Sequence, residues 1–147
     1  MSTPALVPLG PCASASTYPG GPEHVRQVRA DVRRLLDGCP VAEDVILCVS
    51  ELATNAAVHS DSRRSGGTFT VRTESRPGAD VRIEVEDDGG PWVSLAPDPS
   101  HGRGLGIVRA LADDWGITTT PTGRAVWAHI TWQTSGDDGL AQPEEAA

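Results

Sequence analysis

The sequence predicts a single α+β domain, a two-layer sandwich in which helices cover one face of a mixed, mostly antiparallel sheet. Three observations lead to it. Two segments with apolar residues at three- and four-residue steps come first. Segments of two-residue alternation follow, and a third helical pattern divides them into two pairs, giving the order ααββαββ. With 147 residues and 38% hydrophobic side chains the chain has material for one core.

Residues 1 to about 20 (MSTPALVPLGPCASASTYPG) are rich in Pro, Ala, Ser and Gly without sustained periodicity, and are expected to be a flexible lead-in. The tail from Thr134 reads the same way, so the folded unit spans 21–133. The first helix starts near Pro22, with Val25, Val28, Val32, Leu35 and Leu36 on its apolar side, and Gly38 and Pro40 stop it. A second helix covers about Ala42 to His59, striped by Val45, Val49, Leu52 and Ala56. Strands are expected at Thr68–Glu74 and Val81–Asp87, with Pro77-Gly78 as the turn between them. After a Gly/Pro-rich loop come a helix at about Gly104 to Asp113 and strands at Trp115–Thr120 and Arg124–Trp132, meeting at Pro121–Gly123.

Composition removes several functions. A formal net charge of −8 disfavours direct contact with nucleic acid or an anionic membrane, since each needs a basic surface. All 12 basic residues are Arg and none is Lys. A Walker A loop, a Schiff-base lysine and a protein-kinase-type catalytic lysine are therefore excluded. Cys12, Cys39 and Cys48 are scattered, without metal-ligand spacing, and read as reduced thiols. No segment has the length and apolarity of a membrane span, and the first residues lack a signal-peptide layout, so a cytoplasmic protein is expected.

Three constellations carry chemistry. Glu51-Leu52-Ala53-Thr54-Asn55 sets Glu51 and Asn55 four residues apart on one helix face. A carboxylate stacked with a neutral amide suits a magnesium site beside a hydroxyl to be deprotonated, although a solvated polar face would look the same. In Val85-Glu86-Asp87-Asp88-Gly89-Gly90 a strand ends in an acidic pair and two glycines. Asp87 could accept from an exocyclic amine and Gly89 could let a flat ring approach, or the run could be an ordinary turn. In His101-Gly102-Arg103-Gly104-Leu105-Gly106-Ile107, alternate glycines precede an amphipathic helix. Exposed backbone N–H groups there, with Arg103, make an anion site; a plain loop before a helix is the alternative. The spacing is not that of a dinucleotide fingerprint.

Taken in order over Glu23 to Trp132, these motifs resemble the GHKL ATPases, the Bergerat-fold family. ELATNAAVHS is similar to that family's N box, VEDDGG to its first glycine box, GRGLGIVRALADDWG to its second, and TGRAVW to its last glycine. An N box ending in His and a short loop between the glycine boxes look most like the anti-sigma-factor serine/threonine kinases.

The resemblance implies ATP and Mg2+ as cofactors. Asn55 would be the metal ligand, Glu51 the catalytic residue as general base or water-orienting carboxylate, Asp87 the adenine-amine acceptor, and Gly89 would flank the ring. Gly102, Arg103, Gly104, Leu105 and Gly106 would hold phosphate, Gly123 would approach the nucleotide closely, and Gly90–His101 would be a lid. Ala125 stands near the place where many relatives carry a threonine. The implied activity is phosphorylation of a serine on an anti-anti-sigma antagonist, coupled to capture of a sigma factor. Those two proteins would be the partners, and a homodimer remains open. The rival readings are a nucleotide-binding module with weak or no phosphoryl transfer, and a scaffold without nucleotide. Histidine kinase activity is not expected, because a chain of this length leaves no room for a helical domain presenting a phosphoacceptor histidine.

Overall fold

A computed structural model describes residues 12–60, 62, 64–89 and 103–132. Strand β1 (Cys12–Pro19) leads through a 3-10 turn at Pro22–His24 into helices α1 (Val25–Leu35) and α2 (Ala42–His59). Strands β2 (Thr68–Arg76) and β3 (Asp80–Asp87), helix α3 (Arg103–Leu111) and strands β4 (Asp114–Thr120) and β5 (Gly123–Thr131) follow. The sheet order is β1-β2-β3-β5-β4, so α3 carries the chain one strand beyond β3 and β5 returns to fill the gap. Every strand pairing among the described residues is antiparallel, which removes the expected mixed element.

The helices form as their patterns predict. Val25, Val28 and Val32 are buried along α1 and Leu36 just past its end, and Gly38 takes φ +84 where the chain turns towards α2. Leu35, expected on this face, is 46% exposed. One residue is a rotation of about 100°, so Leu35 falls off the stripe that ends at Leu36. Helix α2 is the central element, with Val45, Cys48, Val49, Leu52, Ala53 and Ala56 at 1% exposure or less. It packs against α1, α3 and β3. Phe69, Ile83, Val85 and Val126 meet it from the sheet, and each such side chain contributes about 1.5–3 kcal/mol by leaving water.

Strand β1 corrects the expected flexible lead-in. CASASTYP offers small alternating residues and little apolar area, which is why it reads as linker. Its partner supplies what its side chains do not: all eight residues pair with β2, from Cys12 opposite Ser75 to Pro19 opposite Thr68. One side chain then anchors it. The Tyr18 ring stacks on Phe69 at 5.6 Å, and its hydroxyl donates to Asp31 of α1 at 2.7 Å. That bond, with Arg34 and Gln27 also donating, holds the Asp31 carboxyl below its ordinary range, while burial pushes the Tyr18 phenol up to about 12.

The face of the sheet away from the helices is polar and internally paired. Arg72 reaches Glu86 at 2.8 Å and Glu84 at 3.0 Å, and Arg82 lies 5.1 Å from the centre of the Trp127 ring. Trp127 covers Gly116, where a Cβ would come within 2.8 Å of the indole. At the α3–β4 junction the exposed Asp113 accepts from the Thr131 N–H at 2.7 Å and hydroxyl at 2.8 Å.

Candidate functional site

Four segments converge on one end of the sheet: the C-terminal half of α2, the loop after it, the end of β3, and the β4–β5 turn. Alternation along β3 places Asp87 on the helix-covered face with Val81, Ile83 and Val85. The carboxyl is almost wholly enclosed, with Asp87 4% exposed. Its Oδ1 accepts the Gly89 N–H at 2.7 Å, and its Oδ2 has no hydrogen-bond partner. Burial raises the carboxyl to about 6, against the pull of the Gly89 N–H and the positive charge of Arg124.

The glycines around it have a backbone explanation. Gly89 takes φ +79, and a Cβ there would stand 3.2 Å from the Gly123 Cα. A Cβ on Gly123 would come within 1.8 Å of the Asp87 carbonyl oxygen. The close approach expected at Gly123 is thus first of all to the protein's own chain, and it lets the β4–β5 turn seat against the end of β3. No larger residue fits there.

On α2, Asn55 is 6% exposed and its Nδ2 has no partner, while Glu51, one turn earlier, is half-buried at the rim. Two enclosed polar atoms, an acceptor on Asp87 and a donor on Asn55, are therefore left without partners on neighbouring elements. Leaving such groups unpaired costs about 1–3 kcal/mol each, so the arrangement suits a ligand that pairs with them. An acceptor on Asp87 fits the exocyclic amine of adenine. Among the described residues no three His, Cys, Asp or Glu side chains form a metal cluster. A lone amide such as Asn55 suits a magnesium ion that takes its other ligands from phosphate and water.

Arg103 opens α3, with Gly104, Leu105 and Gly106 in its first turn, which places the second glycine box at a helix N-terminus as expected. Gly102 and the segment Gly90–His101, expected to be a lid, lie outside the described residues.

Two contributors were missed from the sequence. Ser62, fully buried, accepts the Asp88 N–H at 2.9 Å and donates to the Thr68 carbonyl at 2.6 Å, tying the end of α2 to both β2 and β3. Ser60 supports it, donating to the Ala56 carbonyl at 2.7 Å and accepting the Ser62 N–H at 3.0 Å. The signal was present in the Ser60-x-Ser62 step after a helix, a common local capping pattern. The second is Arg124, the cross-strand neighbour of Asp87. Alternation turns Arg124 to the pocket side and Ala125, paired with Glu86, to the opposite face, so Arg124 and not Ala125 stands beside the acceptor.

Two clefts lie off this site: one of about 350 Å³ on the outer sheet face beside Asp80 and His129, and one of about 370 Å³ between α1 and α2. The second reaches Glu51. No described helix is long and apolar enough to cross a membrane.

Known proteins share this fold. The histidine kinase domain of the blue-light activated histidine kinase from Erythrobacter litoralis EL346 superposes with a TM-score of 0.51 at 22% identity, over 76% of this chain and 60% of that one, a likeness of fold. A curated relative, "Blue-light-activated histidine kinase 2" of Erythrobacter litoralis (strain HTCC2594), is 33% identical over 82% of this chain. The match spans 36% of that relative's length. The family model described as "Histidine kinase-like ATPase domain" matches residues 18–130, a stretch that holds Glu51, Asn55, Asp87 and all the glycine boxes. The chain belongs to the histidine kinase-like ATPase domain family, the GHKL ATPases.

Proposed function

We propose that this protein binds ATP with Mg2+ and acts as an anti-sigma factor with serine/threonine kinase activity, phosphorylating an anti-anti-sigma antagonist. The observation that carries the nucleotide part is the enclosed Asp87 carboxylate with Oδ2 unpartnered, with the enclosed Asn55 on α2 leaving its Nδ2 unpartnered as well. Asp87 takes the adenine amine, Asn55 offers its amide oxygen to the metal, and the first turn of α3 offers backbone N–H groups and Arg103 to phosphate. Bound Mg·ATP supplies the phosphoryl group.

Glu51 supports the kinase part. It sits one helical turn from Asn55 at the rim, where an incoming hydroxyl can lose its proton to the carboxylate. The choice of serine over histidine as acceptor rests on the N-box resemblance, and the curated relative's name, a histidine kinase, supplies the competing acceptor.

Thermal unfolding with Mg·ATP, Mg·ADP and neither tests the nucleotide part. Ligand at ten times its dissociation constant adds about 1.4 kcal/mol, a rise in Tm of a few degrees. The rise should vanish in Asp87→Asn and shrink in Asn55→Ala; no rise in the wild type would sink the proposal. For the kinase part, label transferred from γ-labelled ATP to an acceptor protein should be acid-stable and lost in Glu51→Gln. Acid-labile label would point to a phosphohistidine instead.

A further inference from the structure

The cleft between α1 and α2 ends at Glu51, and its two walls carry opposite charge. Arg29 and Arg33 stand on the α1 side, Glu43, Asp44 and Glu51 on the α2 side, with Ile46 and Leu47 between them. Leu47 is 44% exposed, one of few large apolar side chains left so among the described residues. Arg33 reaches Glu43 at 3.4 Å and closes the far end. Arg29, and Arg26 one turn before it, have no ion pair among the described residues. In a chain of net charge −8, these arginines make α1 a local basic strip.

The cleft runs beside α2 from Glu43 to Glu51, about 12 Å at 1.5 Å per residue, or two helical turns. Four residues beyond Glu51 on the same helix is Asn55, so the groove and the nucleotide pocket share α2 and meet at the proposed base. Two packed helices with a narrow apolar strip and charged flanks form the kind of surface that receives a third, amphipathic helix, whose charged edges set its fit.

We propose that this cleft docks an amphipathic helix of the phosphoryl-acceptor protein, with apolar residues on Leu47, an acidic edge against Arg29, a basic edge against Asp44, and the acceptor hydroxyl just past the end that meets Glu51. The inference rests on the kinase reading above and adds the chemistry of the acceptor. The docked helix delivers the hydroxyl to Glu51, which shares α2 with Asn55, the proposed metal ligand. This limits acceptors to hydroxyls at or next to the end of a helix of that pattern.

The probe is a fluorescent 14-residue helical peptide with leucines at positions i, i+3 and i+7, Glu along one flank and Lys along the other, titrated by anisotropy into the full chain. Binding should weaken at least tenfold in Arg29→Glu and in Leu47→Asp. A peptide with Lys on both flanks should bind Arg29→Glu at least tenfold better than it binds the wild type. Failure of the wild type to bind the first peptide, binding by either variant as tight as that of the wild type, or absence of the charge-swap rescue would each overturn the docking inference. The Mg·ATP melting shift is measured on the same samples. If it persists in Arg29→Glu while the peptide effects are absent, only the docking inference falls; if it is absent from the wild type, the proposed function falls as well.

Discussion

Strand β3 begins and ends on a buried aspartate, and the two have opposite surroundings. Asp80, 8% exposed, has its needs met: Arg76 donates to both carboxylate oxygens and His129 lies 2.9 Å from Oδ2. The Arg76 guanidinium, with His129, holds this carboxyl below its ordinary range. Asp87 is no less buried, yet it has one backbone donor, an unpartnered oxygen, and a carboxyl raised to about 6. One end of the strand has its acceptors met and the other keeps one unmet. Burial alone does not single out a candidate site carboxylate; burial with an unmet acceptor does.

The comparison can be tested hardest at Gly123, which lets the end with the unmet acceptor exist. Gly123→Ala drives a methyl into the Asp87 carbonyl, 1.8 Å from the ideal Cβ, and should cost about 4 kcal/mol in urea unfolding along with the Mg·ATP response. A loss under about 1 kcal/mol would mean the turn is free to move off β3.

Next comes Asp87→Asn without nucleotide. A carboxyl whose folded value is about 6 against an ordinary 3.8 adds its stability only below the lower figure and loses it as pH rises through the higher. At pH 7.5 the ionised Asp87 therefore costs roughly 3 kcal/mol, at about 1.4 kcal/mol for each tenfold change. Asp87→Asn should raise stability at pH 7.5 by about 2 kcal/mol, the gain narrowing towards pH 4, while the nucleotide response disappears. Equal stability of mutant and wild type across that range would show that Asp87 is already neutralised by its surroundings.

The smallest effect belongs to the end whose acceptors are met. Asp80→Asn removes a partnered carboxylate whose lowered value adds stability above the ordinary carboxylate range and loses it as pH falls. Because Arg76 is solvent-exposed, the loss at pH 7.5 should be only about 1 kcal/mol, with the Mg·ATP shift unchanged. A change in that shift would mean the two ends of β3 are coupled and would end the contrast.

Both helices of the first half, the two hairpins and the order of the glycine boxes could be read from the chain because each rests on a local rule. Three- and four-residue apolar spacing builds α1 and α2, two-residue alternation builds β2, β3 and β5, and glycine with proline marks the turns. Asp87, Asn55 and Glu51 could be singled out as candidates because short motifs carry them, the first at the end of β3 and the other two one turn apart on α2.

Tertiary structure alone decided the rest. Strand β1 exists because β2 offers it a row of backbone partners and Phe69 a ring for Tyr18, neither of which its own small residues announce. Ser62 matters only once the end of β3 is beside it, and Arg124 became the neighbour of Asp87 through the register of β5 on β3. Sequence spacing reports which side of an element a residue occupies; which element then covers that side depends on contacts far apart along the chain, and no local pattern records them.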